Sequence, residues 1–289
     1  MTDAVFTQAG LAEFGRVYPG EAARLSHRLL DHPLLTLSAL EELAAALPGD
    51  SVEYNPGDLP VGIAPEDVPA PSLGIAETIR TIADNGSWMV LKRIEQHPPY
   101  AELLHALLDE VKPIVEPRTG AMLQTEGFVF VTSPGSVTPF HFDPEHNILL
   151  QVRGEKTMTV FPGDETLLRP EVHEAFHLGK HHRNIPWRDD FRHLGREISI
   201  APGEAIHVPV KAPHFVRNGD AVSISLSVTW RSDWSFAEAD ARAFNHMLRQ
   251  MGLSPRSPAA FPSHNRTKSL AFRAIRKARA TLGLEGRAA

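Results

Sequence analysis

Between residues 222 and 230, apolar and small polar side chains alternate without a break: Val222, Ile224, Leu226 and Val228 against Ser223, Ser225, Ser227 and Thr229. A period of two belongs to a β-strand, whose successive side chains leave opposite faces, so one side of this strand packs and the other is small and polar. Short runs of the same texture, each closed by turn residues, begin near Met122. They cover 128–131, ended by Ser133-Pro134-Gly135, then the segment around His141, then 148–152, 157–161, 197–200, 205–208 and 214–217, ended by Asn218-Gly219-Asp220. About eight short antiparallel strands in two groups predict a jelly roll, the double-stranded β-helix, with an interior wide enough for a small ligand. The polar face of the last strand is then expected to line that interior.

The flanks read differently. Helical spacing of apolar residues predicts helices over 21–30, over 38–47 with Ser38 as cap, over 72–83 and over 100–111, while the Pro- and Gly-rich stretch 48–71 reads as a long loop and 88–91 as a strand. These elements are expected to support the β core, with part of 53–69 or Trp88 as the alternative wall of a pocket. After the last strand, helices are predicted over 236–251 and 268–282, joined by Leu253-Ser254-Pro255-Arg256-Ser257-Pro258. The fold class is therefore α+β with a mainly β core. Its division is a helical N-terminal region over 1–120, a jelly-roll core over 121–235, and C-terminal helices over 236–289.

Composition excludes some chemistry. With 289 residues and 42% hydrophobic content the chain can bury a large core, and with no cysteine it can form neither a disulfide nor a thiolate metal site. No leader pattern and no bilayer-length apolar run stands in the sequence, which predicts a cytoplasmic protein without a membrane partner. The charge is uneven: from residue 253 onward eight basic residues face one acid, leaving the rest of the chain at −13 within a total of −6. That asymmetry fits a contact between the tail and the acidic body of the same chain or of a second copy, and no nucleic-acid recognition motif accompanies it.

The chemistry lies in Ser136-Val137-Thr138-Pro139-Phe140-His141-Phe142-Asp143 and, further on, Pro209-Val210-Lys211-Ala212-Pro213-His214. On a strand, His141 and Asp143 point the same way, so both can bind one metal. A third ligand has to come from elsewhere, from His214 or His207. Two imidazoles and one carboxylate hold one face of a non-haem Fe(II) ion and leave the other positions open.

After His141 come Asn147, an apolar run, the turn Arg153-Gly154-Glu155, and Lys156 at the head of Thr157-Met158-Thr159-Val160. This arrangement resembles the JmjC and cupin-like 2-oxoglutarate oxygenases, among them the asparaginyl hydroxylase acting on hypoxia-inducible factor, over residues 122–230. The resemblance implies Fe(II) held by His141, Asp143 and His214, the distal histidine following Pro209 by five residues. It implies 2-oxoglutarate held by Lys156 at its far carboxylate, with Thr138 and Asn147 assisting. Ser227 stands near where some members carry an Asn that seats the co-substrate, a departure from the pattern. The insertion over 171–192, rich in His and charge, reads as a surface loop beside the substrate entrance, with Trp187 and Arg188 as substrate contacts.

The implied reaction uses O2, releases succinate and CO2, and hydroxylates an unactivated C–H bond. A protein or peptide side chain and a small metabolite both remain open as substrates, and a non-catalytic cupin-like module is the alternative function. The apolar stripe of Phe236, Ala243, Phe244, Met247, Leu248 and Met251, together with the resemblance, predicts a homodimer formed through the C-terminal helices.

Overall fold

The computed structural model describes residues 4–57, 60–63, 67–68, 73–180 and 182–282. In chain order the elements are α1 (Gln8–Val17), β1 (Ala23–Ser26), α2 (Leu37–Ala46), β2 (Val52–Pro56), α3 (Ile75–Arg80), β3 (Ser87–Lys92) and α4 (Pro98–Thr119). The strands β4 (Met122–Thr132), β5 (Val137–His141), β6 (His146–Arg153) and β7 (Lys156–Val160) follow, then α5 (Pro170–Phe176). β8 (Arg196–Ile200), β9 (Glu204–Val208), β10 (His214–Asn218) and β11 (Ser223–Ser232) complete the sheets, and α6 (Asp233–Gln250) and α7 (Arg266–Thr281) end the described chain.

Two antiparallel sheets face each other as the predicted double-stranded β-helix: a 7-stranded sheet ordered β1-β9-β6-β11-β4-β3-β2 and a 4-stranded sheet ordered β5-β10-β7-β8. The alternation along β11 explains both sides of the larger sheet. Ile224, Leu226 and Val228 enter an outer core with Val129, Val131, Leu107 and Val111, against which α4 lies. Their neighbours Ser227 and Thr229 face the space between the sheets. Ser225 instead donates to Gln151 Oε1 at 2.7 Å, and Gln151 Nε2 donates to Ser223 at 2.9 Å, so the buried amide ties these two hydroxyls together. At the closed end, Leu149, Met158, Val160, Ile206 and Val216 form a second apolar cluster between the sheets.

Several flanking elements differ from the sequence reading. The segment 21–30 is not a helix: Ala23 to Ser26 form β1 and pair with β9, Ala23 opposite His207. A short run with apolar residues at 22, 23, 25 and 29 satisfies both periods, and an open sheet edge decides it by offering hydrogen bonds to the whole backbone. The 48–71 stretch contains β2, an edge strand, where Pro56 needs no inward N–H; the first 120 residues therefore add β1, β2 and β3 to the sheet as well as helices. The cap of α2 is Thr36, whose hydroxyl accepts from Ala39 N at 3.2 Å, and not Ser38. Helix α3 is shorter than 72–83, and Ser72 lies outside the described residues. The insertion is not all surface loop, since α5 and a 3-10 helix (Asp189–Leu194) form within it and His173 is fully buried.

At the other end, the described part of the basic tail lies on its own chain. Ser269 donates to Asp240 at 2.9 Å, Arg273 pairs with the same carboxylate, and Lys268 reaches Asn245 at 2.8 Å. Among the described residues no helix is long and apolar enough to cross a membrane.

Helix α4 runs past its expected end, through Pro113 and Pro117. The stripe Leu104, Leu107, Leu108, Val111, Val115 continues unbroken on its buried face, and that burial outweighs two missing N–H donors. Pro113 itself is exposed. Replacing Pro113 by Ala restores the N–H and removes the ring clash, so Pro113→Ala is expected to stabilise the protein by about 1–3 kcal/mol. Urea titration checks this, and an unchanged midpoint would mean that α4 accommodates the proline without cost.

Candidate active site

The site begins with strand pairing. β10 runs antiparallel to β5 with His214 directly opposite His141, and the imidazole centroids stand 4.3 Å apart. The register then shifts before Val216, whose partner is Thr138. Such a bulge lets Thr138 and Pro139 join His141 on the cavity wall, where strict alternation would turn one of the two away. Asp143, two residues beyond His141, follows the strand's end; its Oδ2 lies 3.8 Å from His141 Nε2 and 3.7 Å from His214 Nε2. Donor atoms of the three residues all fall within 4.8 Å of one another, and no other such group of three occurs among the described residues.

Protons can be assigned by elimination. His141 Nδ1 is 2.7 Å from the carbonyl of Pro139, and His214 Nδ1 is 2.9 Å from the carbonyl of Ala212. A carbonyl only accepts, so each Nδ1 carries a hydrogen, and in the neutral ring Nε2 is the nitrogen that presents a lone pair. Burial, with His214 beside it, pushes the His141 imidazole down to about 4. Burial alone would raise Asp143, yet His141, Arg183 and His214 outweigh it and hold the carboxyl at about 2. At neutral pH His141 is therefore uncharged beside an ionised carboxylate, and the Nε2 atoms of both rings converge on that carboxylate. Spacings near 3.7 Å are too long for hydrogen bonds. This donor set, two nitrogens and one oxygen with each ring fixed through its other nitrogen, fits a divalent transition metal.

The three side chains open onto a cavity of about 440 Å³ between the sheets. Thr138, Asn147, Lys156 and Ser227, the residues that the family resemblance singles out, all line it. Lys156 is 5% exposed and has no hydrogen-bond or ion-pair partner among the described residues; burial brings its ammonium down to about 7. A buried amine without a counter-charge on a cavity wall is a place for an anion. Ser227 donates to Asn147 Oδ1 at 2.8 Å, so the serine at the departing position orients the asparagine amide.

Trp187 and Arg188 are not brought to this cavity. Trp187 packs edge-on against Phe140, Phe161 and Phe215 on the outer side of the smaller sheet, and Arg188 pairs with Asp190. Apolar contact with three rings places the indole there. From the same insertion Arg183, which the sequence reading did not single out, donates to Asp143 Oδ1 at 2.9 Å. Glu145, pushed up to about 7 by burial and then by Asp143, and Lys92 were also missed as site residues, whereas Glu53, Asn55 and Trp88 line the cavity on the side that the alternative reading of 53–69 or Trp88 as a pocket wall names. His207 faces away, its Nδ1 on the carbonyl of Glu21 and its ring against Phe14. His181 lies outside the described residues.

The family model described as the cupin-like domain matches residues 90–236. The Jumonji C domain-containing protein 5 of Drosophila melanogaster is 31% identical over 106 residues, which cover 33% of this chain and 25% of that protein. Lysine-specific demethylase JMJ30 of Arabidopsis thaliana is 31% identical over 105 residues, 34% of this chain and 24% of the relative. The chain thus spans about a quarter of the length of these curated relatives. Among solved structures, Escherichia coli YcfD superposes with a TM-score of 0.53 at 14% identity, over 98% of this chain and 69% of that one. A second structure, of the ribosomal oxygenase YcfD with cobalt and 2-oxoglutarate, gives 0.52 at 13%, over 96% and 68%. At such identity the superpositions speak for the fold.

His141→Ala, Asp143→Ala and His214→Ala are each expected to abolish binding of Mn(II) or Co(II), measured by calorimetry, while circular dichroism stays native. His207→Ala should destabilise the fold and leave metal affinity intact. Full occupancy in His214→Ala would place the site elsewhere.

Proposed function

The chain belongs to the cupin-like domain family, and from that premise we propose that it is an Fe(II)- and 2-oxoglutarate-dependent oxygenase that hydroxylates an unactivated C–H bond of a protein or peptide side chain. The observation that carries the reading is the pairing of the triad with Lys156: three convergent metal donors and, on the same cavity wall, a buried amine without a counter-charge. In this reading residues 121–235 hold the chemistry, the regions before and after support it, and the protein works in the cytoplasm.

His141, Asp143 and His214 would hold the iron. With 2-oxoglutarate and O2, that iron supplies oxidative decarboxylation to succinate and CO2 and the oxidant for the C–H bond. The chain's own part is binding and placement. Lys156 donates to the far carboxylate of 2-oxoglutarate, Thr138 and the Ser227-oriented amide of Asn147 assist, and apolar residues such as Phe128, Phe130 and Leu149 keep water from the reacting centre. The protein side of the substrate choice rests on the relatives' names, a lysine-specific demethylase and a ribosomal oxygenase. A binding module without chemistry gives no reason for an open metal face beside an unpaired buried lysine.

Incubation with Fe(II), ascorbate and 2-oxoglutarate, with and without protein fractions from a cell extract, should release succinate together with a +16 Da shift on a protein. Succinate release that responds only to a small-molecule fraction would move the substrate to a metabolite, and none in any fraction would remove the oxygenase.

Losing one partner of a charge-assisted hydrogen bond costs on the order of 1.5–3 kcal/mol, so Lys156→Ala should weaken 2-oxoglutarate about ten- to a hundredfold and leave metal affinity unchanged. The pH dependence has a definite sign. The free amine titrates at about 7, and the bound carboxylate favours its protonated form, so binding takes up a proton above that pH. Affinity is therefore expected to be level below pH 7 and to fall about tenfold per unit above it. Lys156→Arg, which stays charged, should flatten the fall; a wild-type profile flat to pH 9 would show that another cation anchors the acid.

The proposal includes assembly as a homodimer through the C-terminal helices. Trp234 and Ala243 are buried within the chain, while Met251 is 74% and Leu253 52% exposed at the end of α6. A second copy covering this end should give twice the monomer mass in light scattering, reduced to one by Met251→Glu with Leu253→Glu. A monomer at micromolar concentration removes the dimer.

A further inference from the structure

Lys211 is 5% exposed and Glu238, on α6, 3% exposed, and their side chains form an ion pair. Arg242, also 5% exposed, binds the same carboxylate from one turn further along the helix. None of these residues lines the metal cavity. Stability does not account for such a group, because a buried ion pair can be exchanged for apolar side chains of similar size at little cost or with a gain. Lys211 also holds a left-handed backbone, φ 64°, which a lysine adopts only against a steric penalty. Two unfavourable features at one residue call for a reason beyond packing.

The main chain at Lys211 supplies it. Its N–H donates to the carbonyl of Asp143 at 2.8 Å, and the carbonyl of the next residue, Ala212, accepts from His214 Nδ1 at 2.9 Å. Two residues of one turn thus touch two of the three candidate metal ligands, one through its backbone and one through its ring. The turn itself is short, closed by Ala212 N to Pro209 O at 3.1 Å, and Pro213 O accepts from Phe161 N at 2.8 Å on the strand side. On its other side the Lys211 side chain is the link to α6.

We propose that Lys211 is a positioning residue for the metal site, its tether to Glu238 setting the turn that aims His214 and fixes Asp143. This rests on the metal reading above and extends it to residues outside the cavity. Contacts that orient ligands from behind typically carry ten- to a hundredfold in metal affinity.

Two variants test it. Lys211→Met cuts the tether and keeps the stem, and Glu238 stays paired with Arg242, so no buried charge is stranded. Lys211→Gly cuts the tether and relieves the left-handed backbone. Both are expected to bind Mn(II) about ten- to a hundredfold more weakly than wild type, to change the visible absorption of the Co(II)-loaded protein, and to speed amide exchange over 211–214 in the metal-free protein. Lys211→Arg, which can still reach Glu238, should recover part of the affinity. Wild-type affinity and exchange in both variants would overturn the inference, as would a glycine variant that binds like wild type beside a weak methionine variant, since the backbone alone would then suffice. If Lys211→Met fails to fold, Lys211→Gly decides by the same measurements. Wild-type protein that takes up no Mn(II), or a His214→Ala variant that binds it equally, would instead sink the metal reading and this inference with it.

Discussion

The antiparallel pairing of β10 with β5 is the constraint on which the rest of the site depends. Opposed residues in such a pair stand about 5 Å apart at their Cβ atoms, close enough that His141 and His214 meet as one donor pair. A slip of one residue would turn His214 to the outer face and place Phe215 inside. The same strand sets the far end of the cavity, because β10 pairs on its other side with β7, Asn218 opposite Lys156 and His214 opposite Val160. Lys156 therefore stands four residues, or about 13 Å of strand, from the level of His214. One three-strand register thus carries both the metal donors and the cation proposed to hold the far end of 2-oxoglutarate.

Electrostatics follow from that placement. The imidazole Nδ1 hydrogens point backwards to the carbonyls of Pro139 and Ala212, so that Nε2 of each ring is turned inward beside an ionised Asp143. Burial favours neutral histidine and opposes charged lysine, and both effects serve the proposed chemistry. His141 is kept from competing protons at neutral pH, whereas Lys156 keeps its ammonium weakly and gains it firmly only when an anion arrives. A cavity lined by uncompensated Lys156 is costly as an empty space and favourable as a complex.

Most of this was legible because period-two patterns and the spacing His-x-Asp state geometry directly. The alternation of β11 names which residues meet the core, and of its polar face Ser227 and Thr229 reach the cavity while Ser223 and Ser225 bond Gln151. The flanks were harder for physical reasons. Four residues, Ala23 to Ser26, are too few to separate a strand from a helix, and only the open edge of β9 decides. Pro113 marks a helix end locally, but Val115 and Thr119 continue the buried stripe and overrule it. Arg183 could not be found from spacing, since its contact with Asp143 arises from a chain crossing 40 residues later.

That crossing explains the insertion better than the substrate role read for Trp187. Strand β5 is an edge of the smaller sheet, and an edge carrying one metal donor and leading directly into a second would be a poor platform if left open. The chain closes it from two directions: Phe140 N donates to Val61 O at 2.7 Å, Ile185 N to Phe140 O at 3.0 Å, and Phe142 N to Arg183 O at 3.2 Å. Phe140, pointing outward from the metal side, is then clamped by Trp187 and Phe161. The aromatic cluster anchors the insertion, the insertion's backbone pairs the edge, and the paired edge keeps His141 in register with His214. Trp187 therefore packs behind the sheet, while Arg183 on the same segment reaches around to the carboxylate.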